Sequence, residues 1–264
     1  MPMSAPRAIT SVFADLEGKV ALVTGAFGGL GRHFALTLAR AGCRIALAGR
    51  RVDAGEAALA EVRSAGGDGC VIRLDVRNRG SVESAFAAAA AALGPPSIVV
   101  NSAGIAITRP ALDVAEDEWQ SVVDTNLSGA WRVAQCAART MRDAGAGGSI
   151  INIASILGLR TAQQVPAYAA AKAGLIHLTR SLALEWARFG IRVNAMAPGY
   201  FETDINREFF RSENGKAMIK RIPQRRLGQP DQLDGALLLL ASSASDYITG
   251  TVLPVDGGHM VSSL

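Results

Sequence analysis

Short apolar runs alternate with longer amphipathic segments along almost the whole chain. Val20–Thr24 is a short run of apolar and β-branched residues, whereas residues 30–41 repeat their apolar positions at helical spacing. Further strands are predicted at 44–48, 70–74, 98–101, 149–153, 191–197 and 251–256. Further helices are predicted at 54–65, 82–93, 119–141, 167–189 and 229–241. This alternation predicts an α/β fold, a doubly wound parallel sheet of about seven strands with helices on both faces.

Composition adds a domain count and a compartment to this prediction. Hydrophobic residues make up 49% and charged residues 19% of the 264 positions, which excludes a disordered protein. No repeat or linker divides the chain, so we expect a single domain over 16–264 after a loose arm over 1–15. The start has no apolar segment typical of a signal peptide, and the longest apolar run, 236–241, is far shorter than the ~20 residues of a membrane span. Three widely spaced cysteines suit a reducing cytoplasm.

Tyr168 and Lys172 are separated by three alanines within the predicted helix 167–189. In a helix, residues i and i+4 share one face with their Cβ atoms roughly 6 Å apart, so the phenol and the ammonium project side by side. A neighbouring cation favours the phenolate and lowers the pKa of tyrosine toward the range in which a general acid or base works. The alternative is an ordinary surface pair, which only the surrounding residues can exclude.

Three glycines, Gly25, Gly29 and Gly31, follow the first predicted strand and precede a helix. Glycine lets the backbone turn tightly and approach a pyrophosphate, whose charge the helix N-terminus binds. The spacing Gly-x-x-x-Gly-x-Gly differs from Gly-x-Gly-x-x-Gly, but its place between strand and helix predicts a dinucleotide site in a Rossmann-type fold. The intervening residues expected to contact the same cofactor are Phe27, Gly28 and Leu30.

The second predicted strand runs into Arg50 and Arg51, with no carboxylate before Asp53. NAD-binding folds usually place an acid here for the ribose hydroxyls, whereas an arginine accommodates the 2′-phosphate of NADP. Arg50 therefore favours NADP(H), and NAD(H) is the alternative if this arginine is merely solvated. Asp75, which ends the third strand just before Val76, either accepts a hydrogen bond from the adenine amine or caps a turn.

Six motifs occur together in a specific order. They are Thr24-Gly25-x-x-x-Gly29-x-Gly31, Asn101-Ser102-Ala103-Gly104, Asn126, Ser155, Tyr168-x-x-x-Lys172 and Asn194-Ala-Met-Ala-Pro198-Gly199. Each motif alone is modest, but the set resembles the short-chain dehydrogenase/reductase family in its one-domain type, over residues 16–258. The resemblance implies an NAD(P)-dependent oxidoreductase that transfers hydride between nicotinamide and a carbonyl or secondary alcohol.

The same resemblance assigns roles to four catalytic residues. Tyr168 would be the general acid and base, and Lys172 would lower its pKa and bind the nicotinamide ribose. Ser155 would orient the substrate oxygen, and Asn126 would hold a water that links Lys172 to solvent. Further cofactor contacts implied by the resemblance are Asn101, Ala103, Gly104, Pro198, Gly199 and Thr203.

Two features concern the partners. Residues 200–226 occupy the place of the family's mobile lid and hold more basic than acidic side chains, which would attract an acidic substrate or form a solvated face. The family usually pairs helices corresponding to 119–141 and 167–189 across a two-fold axis, which implies a homotetramer. Scattered arginines without an aromatic platform argue against nucleic-acid binding, and three distant histidines argue against a catalytic metal.

The substrate stays open at this stage. Apolar residues that flank the reaction centre predict either an apolar pocket or core: Ile156, Leu157, Leu159, Val165, Tyr200 and Phe201. The chain resembles 3-oxoacyl-(acyl carrier protein) reductases, with Arg132 at the place of an arginine that they direct toward the carrier, but Phe189 occupies the second such place. A sugar-acid or polyol dehydrogenase is the alternative. A non-catalytic dinucleotide sensor is a further one, which the presence of Tyr168 and Lys172 disfavours.

Overall fold

The computed structural model describes residues 12–202 and 207–262, in which seven parallel strands form one sheet. The strands are β1 Val20–Thr24, β2 Arg44–Gly49, β3 Asp68–Arg73, β4 Ile98–Asn101, β5 Gly148–Ile153, β6 Ile191–Pro198 and β7 Val252–Val255. Their order is β3-β2-β1-β4-β5-β6-β7. The direction of progression reverses between β1 and β4, which opens a crevice at the carboxyl ends of these two strands.

Helices cover both faces of the sheet. They are α1 Gly29–Arg40, α2 Val52–Ser64, α3 Arg79–Leu93, α4 Glu116–Val123, α5 Gly129–Asp143, α6 Pro166–Trp186, α7 Arg207–Arg211, α8 Glu213–Ile219 and α9 Asp234–Ala241. One apolar cluster packs the sheet against α1, α2 and α9, and another packs it against α3, α5 and α6. Leu22 and Val23 are consecutive and fully buried yet belong to opposite clusters, because successive side chains of a strand point to opposite faces.

The predicted doubly wound fold and its seven strands are confirmed, with small shifts at strand ends. The predicted helix 119–141 differs, because a π turn at Asp124–Ser128 separates α4 from α5. Residues 1–11 of the predicted arm lie outside the described residues. The end of that arm is instead packed: Phe13 contacts the α1 cluster, and Asp15 accepts hydrogen bonds from Lys19 Nζ (2.7 Å) and the Ser243 N–H (2.9 Å). Phe13 and Asp15 are therefore held against the fold, and the loose arm before them stays a prediction.

Thr24, the last residue of β1, joins the ends of the two strands that flank the crevice. Its Oγ1 accepts hydrogen bonds from the N–H groups of Ser102 and Ala103, both at 3.1 Å. Thr24 is 1% exposed, and the Ser102 N–H also donates to the Val100 carbonyl at 3.1 Å, so the Ala103 N–H is the one that depends on this buried hydroxyl oxygen. The segment after β4 is thereby held against the turn after β1.

We expect Thr24→Val to lower the free energy of unfolding by about 1–3 kcal/mol, because the isosteric side chain leaves the Ala103 N–H without its acceptor and the Ser102 N–H with only the Val100 carbonyl. Urea unfolding measures the change. Thr24→Ser, which keeps the hydroxyl, should recover most of the loss. Equal stabilities of the valine variant and the wild-type protein would contradict this role of the hydroxyl.

Candidate active site

An elongated cleft with a volume of about 610 Å³ runs along the carboxyl ends of the central strands. The predicted site residues that line it are Gly25, Phe27, Gly28, Gly29, Leu30, Gly31, Arg50, Arg51, Asp75, Val76, Ala103, Gly104, Ser155, Tyr168, Lys172, Pro198 and Gly199. Lining residues that the motifs did not predict are Gly49, Leu74, Arg77, Ile105, Ala106, Thr125, Ile153 and Ala154. Most of these residues are adjacent in the chain to a motif residue, and this adjacency is the feature of the sequence that could have predicted them.

The glycine-rich turn is built for close backbone approach. Gly25 has a φ of 69°, and a Cβ at this position would lie 3.0 Å from the Ala103 Cα. A Cβ at Gly31 would lie 2.3 Å from the Gly25 carbonyl oxygen, so a side chain here would push α1 away from the turn. The turn therefore leaves the N-terminal end of α1 facing the cleft with its backbone accessible to an anion.

Phe27, one of the predicted cofactor contacts, lies within the glycine-rich turn. Its ring lies so close to β2 and α2 that a Cβ at Gly49 would be 2.5 Å from Phe27 Cδ2, and one at Gly55 would be 2.7 Å from Phe27 Cε1. The ring thus closes the cleft beside Arg50 and Arg51, which are both exposed at its margin. Glycine at 49 is therefore explained by this ring, and glycine at 55 by the ring together with Val71 Cγ1, which would lie 2.6 Å from a Cβ there.

Asp75 lies at the cleft and also caps a turn. Its Oδ1 accepts a hydrogen bond from the Arg77 N–H at 3.0 Å, and its own N–H donates to Ser81 Oγ at 3.0 Å. The carboxylate therefore caps the turn through one oxygen, while the residue also lines the cleft. The predicted hydrogen bond to the adenine amine stays a prediction.

Ser155, Tyr168 and Lys172 meet at the end of the cleft. Ser155 follows β5, and its Oγ accepts a hydrogen bond from the Leu157 N–H at 3.1 Å, while the side chain lies near enough to Tyr168 to lower the pKa of its hydroxyl. Tyr168 lies in the first turn of α6, and Lys172 lies one turn later with Nζ 5.6 Å from the Tyr168 ring centroid. The Lys172 Nζ donates to the Ile153 carbonyl oxygen at 2.7 Å.

The direction of the Tyr168 pKa differs from the prediction. Burial raises the pKa of the Tyr168 phenol, the hydrogen bond with Ser155 acts in the opposite direction, and the nearby Tyr200 raises it further. Burial also lowers the pKa of the Lys172 ammonium to about 8. The predicted lowering of the Tyr168 pKa by Lys172 is not seen: the Lys172 Nζ lies 5.6 Å from the Tyr168 ring centroid and donates to the Ile153 carbonyl oxygen. Tyr168 is therefore a neutral phenol at pH 7, the form that can donate a proton.

Asn126 lies in the π turn and is fully buried rather than exposed in the cleft. Its Oδ1 accepts from the Ile105 N–H at 2.8 Å, and its Nδ2 donates to the Ile105 carbonyl at 2.7 Å. A Cβ at Gly104 would lie 2.9 Å from Asn126 Oδ1 and 3.7 Å from Lys172 Nζ. Asn126 thus fixes the segment after β4 beside Lys172, and its predicted water-holding role stays a prediction.

Asn101 is not among the residues that line the cleft. Its side chain is buried, where its Nδ2 donates to the Ala130 carbonyl of α5 (3.1 Å) and to Asn152 Oδ1 of β5 (2.9 Å). The side chain thus supports the packing of the sheet, and the predicted cofactor contact of Asn101 stays a prediction. Thr203, a further predicted cofactor residue, lies outside the described residues.

The predicted apolar pocket is divided between core and cleft edge. Ile156 and Phe201 are buried at 1% and 5% exposure, and Phe201 packs so tightly on Gly228 that a Cβ there would be 2.4 Å from its ring. These two residues are core. The others are at least partly exposed, and Tyr200 packs edge-on against Phe210 at a centroid distance of 5.9 Å.

Comparison with known proteins agrees with this geometry. Residues 25–260 match the family described as enoyl-(acyl carrier protein) reductase. The chain is 39% identical over 253 residues to 2-dehydro-3-deoxy-D-gluconate 5-dehydrogenase of Escherichia coli (strain K12), which covers 96% of this chain and 99% of that one. The chain belongs to the short-chain dehydrogenase/reductase family. It is therefore an NAD(P)-dependent oxidoreductase acting on CH–OH groups and the corresponding carbonyls.

Other relatives of this dehydrogenase/reductase carry different names. It is 39% identical over 248 residues to a 3-oxoacyl-(acyl-carrier-protein) reductase of Pseudomonas aeruginosa, covering 94% of this chain and 100% of that one. The structure of a gluconate 5-dehydrogenase from Burkholderia cenocepacia J2315 in complex with NADP and tartrate matches with a TM-score of 0.90 at 35% identity, covering 95% of this chain and 99% of that one. Close similarity to both kinds of enzyme leaves the substrate to be decided from this chain's own residues.

The cleft fits a dinucleotide on its own geometry. The turn after β1 exposes the N-terminal backbone of α1, and two arginines stand at the margin beyond β2. Within residues 12–202 and 207–262, no three His, Cys, Asp or Glu side chains converge as metal ligands. In the same ranges, no helix has the length and hydropathy needed to cross a membrane.

Lys172 makes the stability of the nucleotide-free protein depend on pH. Its pKa is about 8 in the fold and about 10.4 in an unfolded chain, so below pH 8 the buried charge costs roughly 3 kcal/mol of folding free energy. We expect Lys172→Met to be more stable than wild type at pH 7. The difference should shrink by about 1.4 kcal/mol per pH unit between about pH 8 and 10.4, where only the unfolded chain holds the proton.

Urea unfolding at pH 7, 8, 9 and 10 without nucleotide measures this difference. Lys216→Met, which removes an exposed lysine of α8, is the matched control and should show no such trend. A constant difference between Lys172→Met and wild type across this range would contradict a lowered pKa for Lys172.

Proposed function

We propose that Tyr168 is the general acid and base for hydride transfer between NADP(H) and a small-molecule carbonyl or secondary alcohol. The observation that supports this proposal is that Tyr168, Ser155 and the buried Lys172 lie together at one end of the cleft. The bound nicotinamide supplies or accepts the hydride. In the reduction, Tyr168 gives its proton to the carbonyl oxygen, and in the oxidation it takes the hydroxyl proton back.

Ser155 and Lys172 support this proton transfer. The Ser155 Oγ accepts from the Leu157 N–H, so its own proton is available to the substrate oxygen or to Tyr168. With a pKa of about 8, Lys172 holds its proton at neutral pH yet releases it readily, and it lies one helical turn from the phenol. It is placed to stabilise a Tyr168 phenolate once that residue has given up its proton.

NADP(H) is the favoured cofactor, with NAD(H) as the alternative. Arg50 and Arg51 are exposed at the cleft margin at the end of β2, and the described part of the chain gives neither an ion pair with a carboxylate. Their charges are thus available to a 2′-phosphate. A related gluconate 5-dehydrogenase was solved with NADP, which supports the same assignment.

For the substrate, a sugar acid or polyol fits better than a carrier-bound 3-oxoacyl thioester. Arg132 pairs with Asp124 at 2.9 Å and donates to the Val76 carbonyl, and only 20% of its side chain is exposed. An arginine held in this way is a poor docking point for an acidic carrier protein. The relatives named for gluconate derivatives are consistent with this choice, and the thioester reductase is the second candidate.

A homotetramer in a reducing cytoplasm completes the proposal. Leu184 on the outer face of α6 is 84% exposed, and Phe189 just beyond the helix is also exposed. A second copy of α6 would cover these apolar side chains. Cys43, Cys70 and Cys136 are free thiols, which fits a reducing compartment.

We expect Tyr168→Phe to lower kcat by at least ~100-fold while NADPH binds nearly as well, because only the proton donor is removed. Steady-state assays with D-gluconate, D-glucitol and a 3-oxoacyl thioester measure turnover, and fluorescence titration measures NADPH binding. Tyr247→Phe, which alters a fully exposed tyrosine, is the control. Undiminished turnover by Tyr168→Phe would refute the proposed acid–base role.

We expect Arg50→Ala to weaken NADPH binding about 10-fold or more and NADH binding much less, because only NADPH carries the 2′-phosphate. Titration of both nucleotides by fluorescence measures the two dissociation constants. Arg40→Ala, at the exposed end of α1, should leave both unchanged. Equal losses for NADPH and NADH would show that Arg50 does not contact the phosphate.

A further inference from the structure

Arg160 projects from the loop that also carries Ser155. One of its terminal nitrogens, Nη1, donates to the His259 carbonyl and, at 3.1 Å, to Ser262 Oγ. Within residues 12–202 and 207–262, its Nε and Nη2 have no hydrogen-bond partner. The guanidinium therefore uses one edge to hold the C-terminal turn and keeps other donors open.

Two aromatic residues connect Arg160 with the reaction centre. The His259 ring lies 5.5 Å from the Tyr200 ring, centroid to centroid. Tyr200 directly follows Gly199, which lines the same cleft as Ser155 and Tyr168. Burial raises the pKa of Tyr200, and the Arg160 charge acts in the opposite direction. Arg160 is thus linked to the end of the cleft through the C-terminal turn and the Tyr200 ring.

The positive charge of Arg160 is not balanced by an ion pair. In the described part of the chain no Asp or Glu oxygen lies within ion-pair distance of it. Asp256, the acid near His259, instead accepts hydrogen bonds from the N–H groups of Gly258 (2.9 Å) and Met260 (2.6 Å). Arg221 adds a second positive charge near His259. A partly buried cation without a carboxylate partner is costly unless a ligand supplies one.

We propose that Arg160 binds a carboxylate of the substrate while Tyr168 and Ser155 hold the reacting oxygen, so that the enzyme prefers oxo and hydroxy acids to neutral alcohols and esters. This proposal deepens the proposed function and rests on it. The planar guanidinium can meet a carboxylate with two parallel N–H donors, which an amide or hydroxyl of the protein cannot reproduce. Arg160 is then a specificity residue that contacts the substrate away from the bond that reacts.

The test compares ligands that differ only in the presence of a carboxylate. D-Gluconate is paired with D-glucitol, and acetoacetate with methyl acetoacetate, in calorimetric titrations of NADP⁺-loaded protein and in turnover assays. We expect the wild-type protein to bind each acid more tightly than its neutral partner. Arg160→Gln should weaken binding of the acids about 10- to 100-fold and change the neutral compounds little, because a charge-assisted bidentate contact is lost.

Two further variants separate this role from a purely structural one. Arg160→Lys keeps the charge and should retain part of the preference for acids, whereas Arg63→Gln removes an exposed charge at the end of α2 and should change nothing. Equal losses for acids and neutral compounds in Arg160→Gln would overturn the proposal and leave Arg160 as an anchor of the C-terminal turn. Failure of the wild-type protein to prefer either acid would also overturn it.

The outcomes distinguish this proposal from the proposed function itself. Carboxylate binding is measured without turnover, and the Tyr168→Phe protein should bind the acids as wild type does. Loss of the acid preference with intact turnover refutes the Arg160 subsite alone. Acid binding that depends on Arg160 but occurs without turnover in any assay refutes the acid–base role of Tyr168 and supports the subsite.

Discussion

A buried ammonium group without a carboxylate partner needs backbone acceptors close by to offset its loss of hydration. Lys172 is such a group. Its Nζ donates to the last carbonyl of β5, Ile153, which fixes the distance between α6 and the strand end. A Cβ at Gly158 would lie 2.7 Å from the Lys172 carbonyl carbon, and a Cβ at Gly104 would lie 2.9 Å from Asn126 Oδ1. The position of Lys172 thus explains Gly158, and the position of Asn126 explains Gly104.

Close contacts also hold the loop after β4, which lies beneath the cleft. Asn126 engages both backbone groups of Ile105, and Thr24 accepts from two N–H groups after β4, so the loop beneath the cleft is held from two sides. Neither side chain needs to touch a ligand to matter. Their hydrogen bonds fix Gly104 beside Lys172. A loop that is already held at both ends loses little conformational entropy when a nucleotide binds.

The sequence predicts much of this arrangement because its signals are local. Continuous apolar runs identify strands buried on both faces, and the glycine spacing after β1 identifies the turn that approaches an anion. The direction of the Tyr168 pKa could not be predicted, because i,i+4 spacing places Lys172 beside the phenol but does not reveal its burial or its contact with Ile153. The burial of the Asn101 side chain could not be predicted for a similar reason, since a motif gives position in the chain and not the face toward which a strand-end side chain points. Arg160 has no motif at all, and its importance emerges only from the fold of the C-terminal turn.

The π turn at Asp124–Ser128 has a consequence for how this chain can change over evolution. One residue inserted into an α-helix rotates everything beyond it by about 100° relative to everything before it. α4 packs mainly against α6, whereas α5 packs mainly against α3 and β4. The two halves of this helical path therefore have different main packing partners. The extra residue of the π turn lets each helix keep the rotation about its own axis that its neighbours require. Deleting one residue here would therefore rotate one helix relative to the other and misorient all its side chains, without changing the chemistry of those that remain.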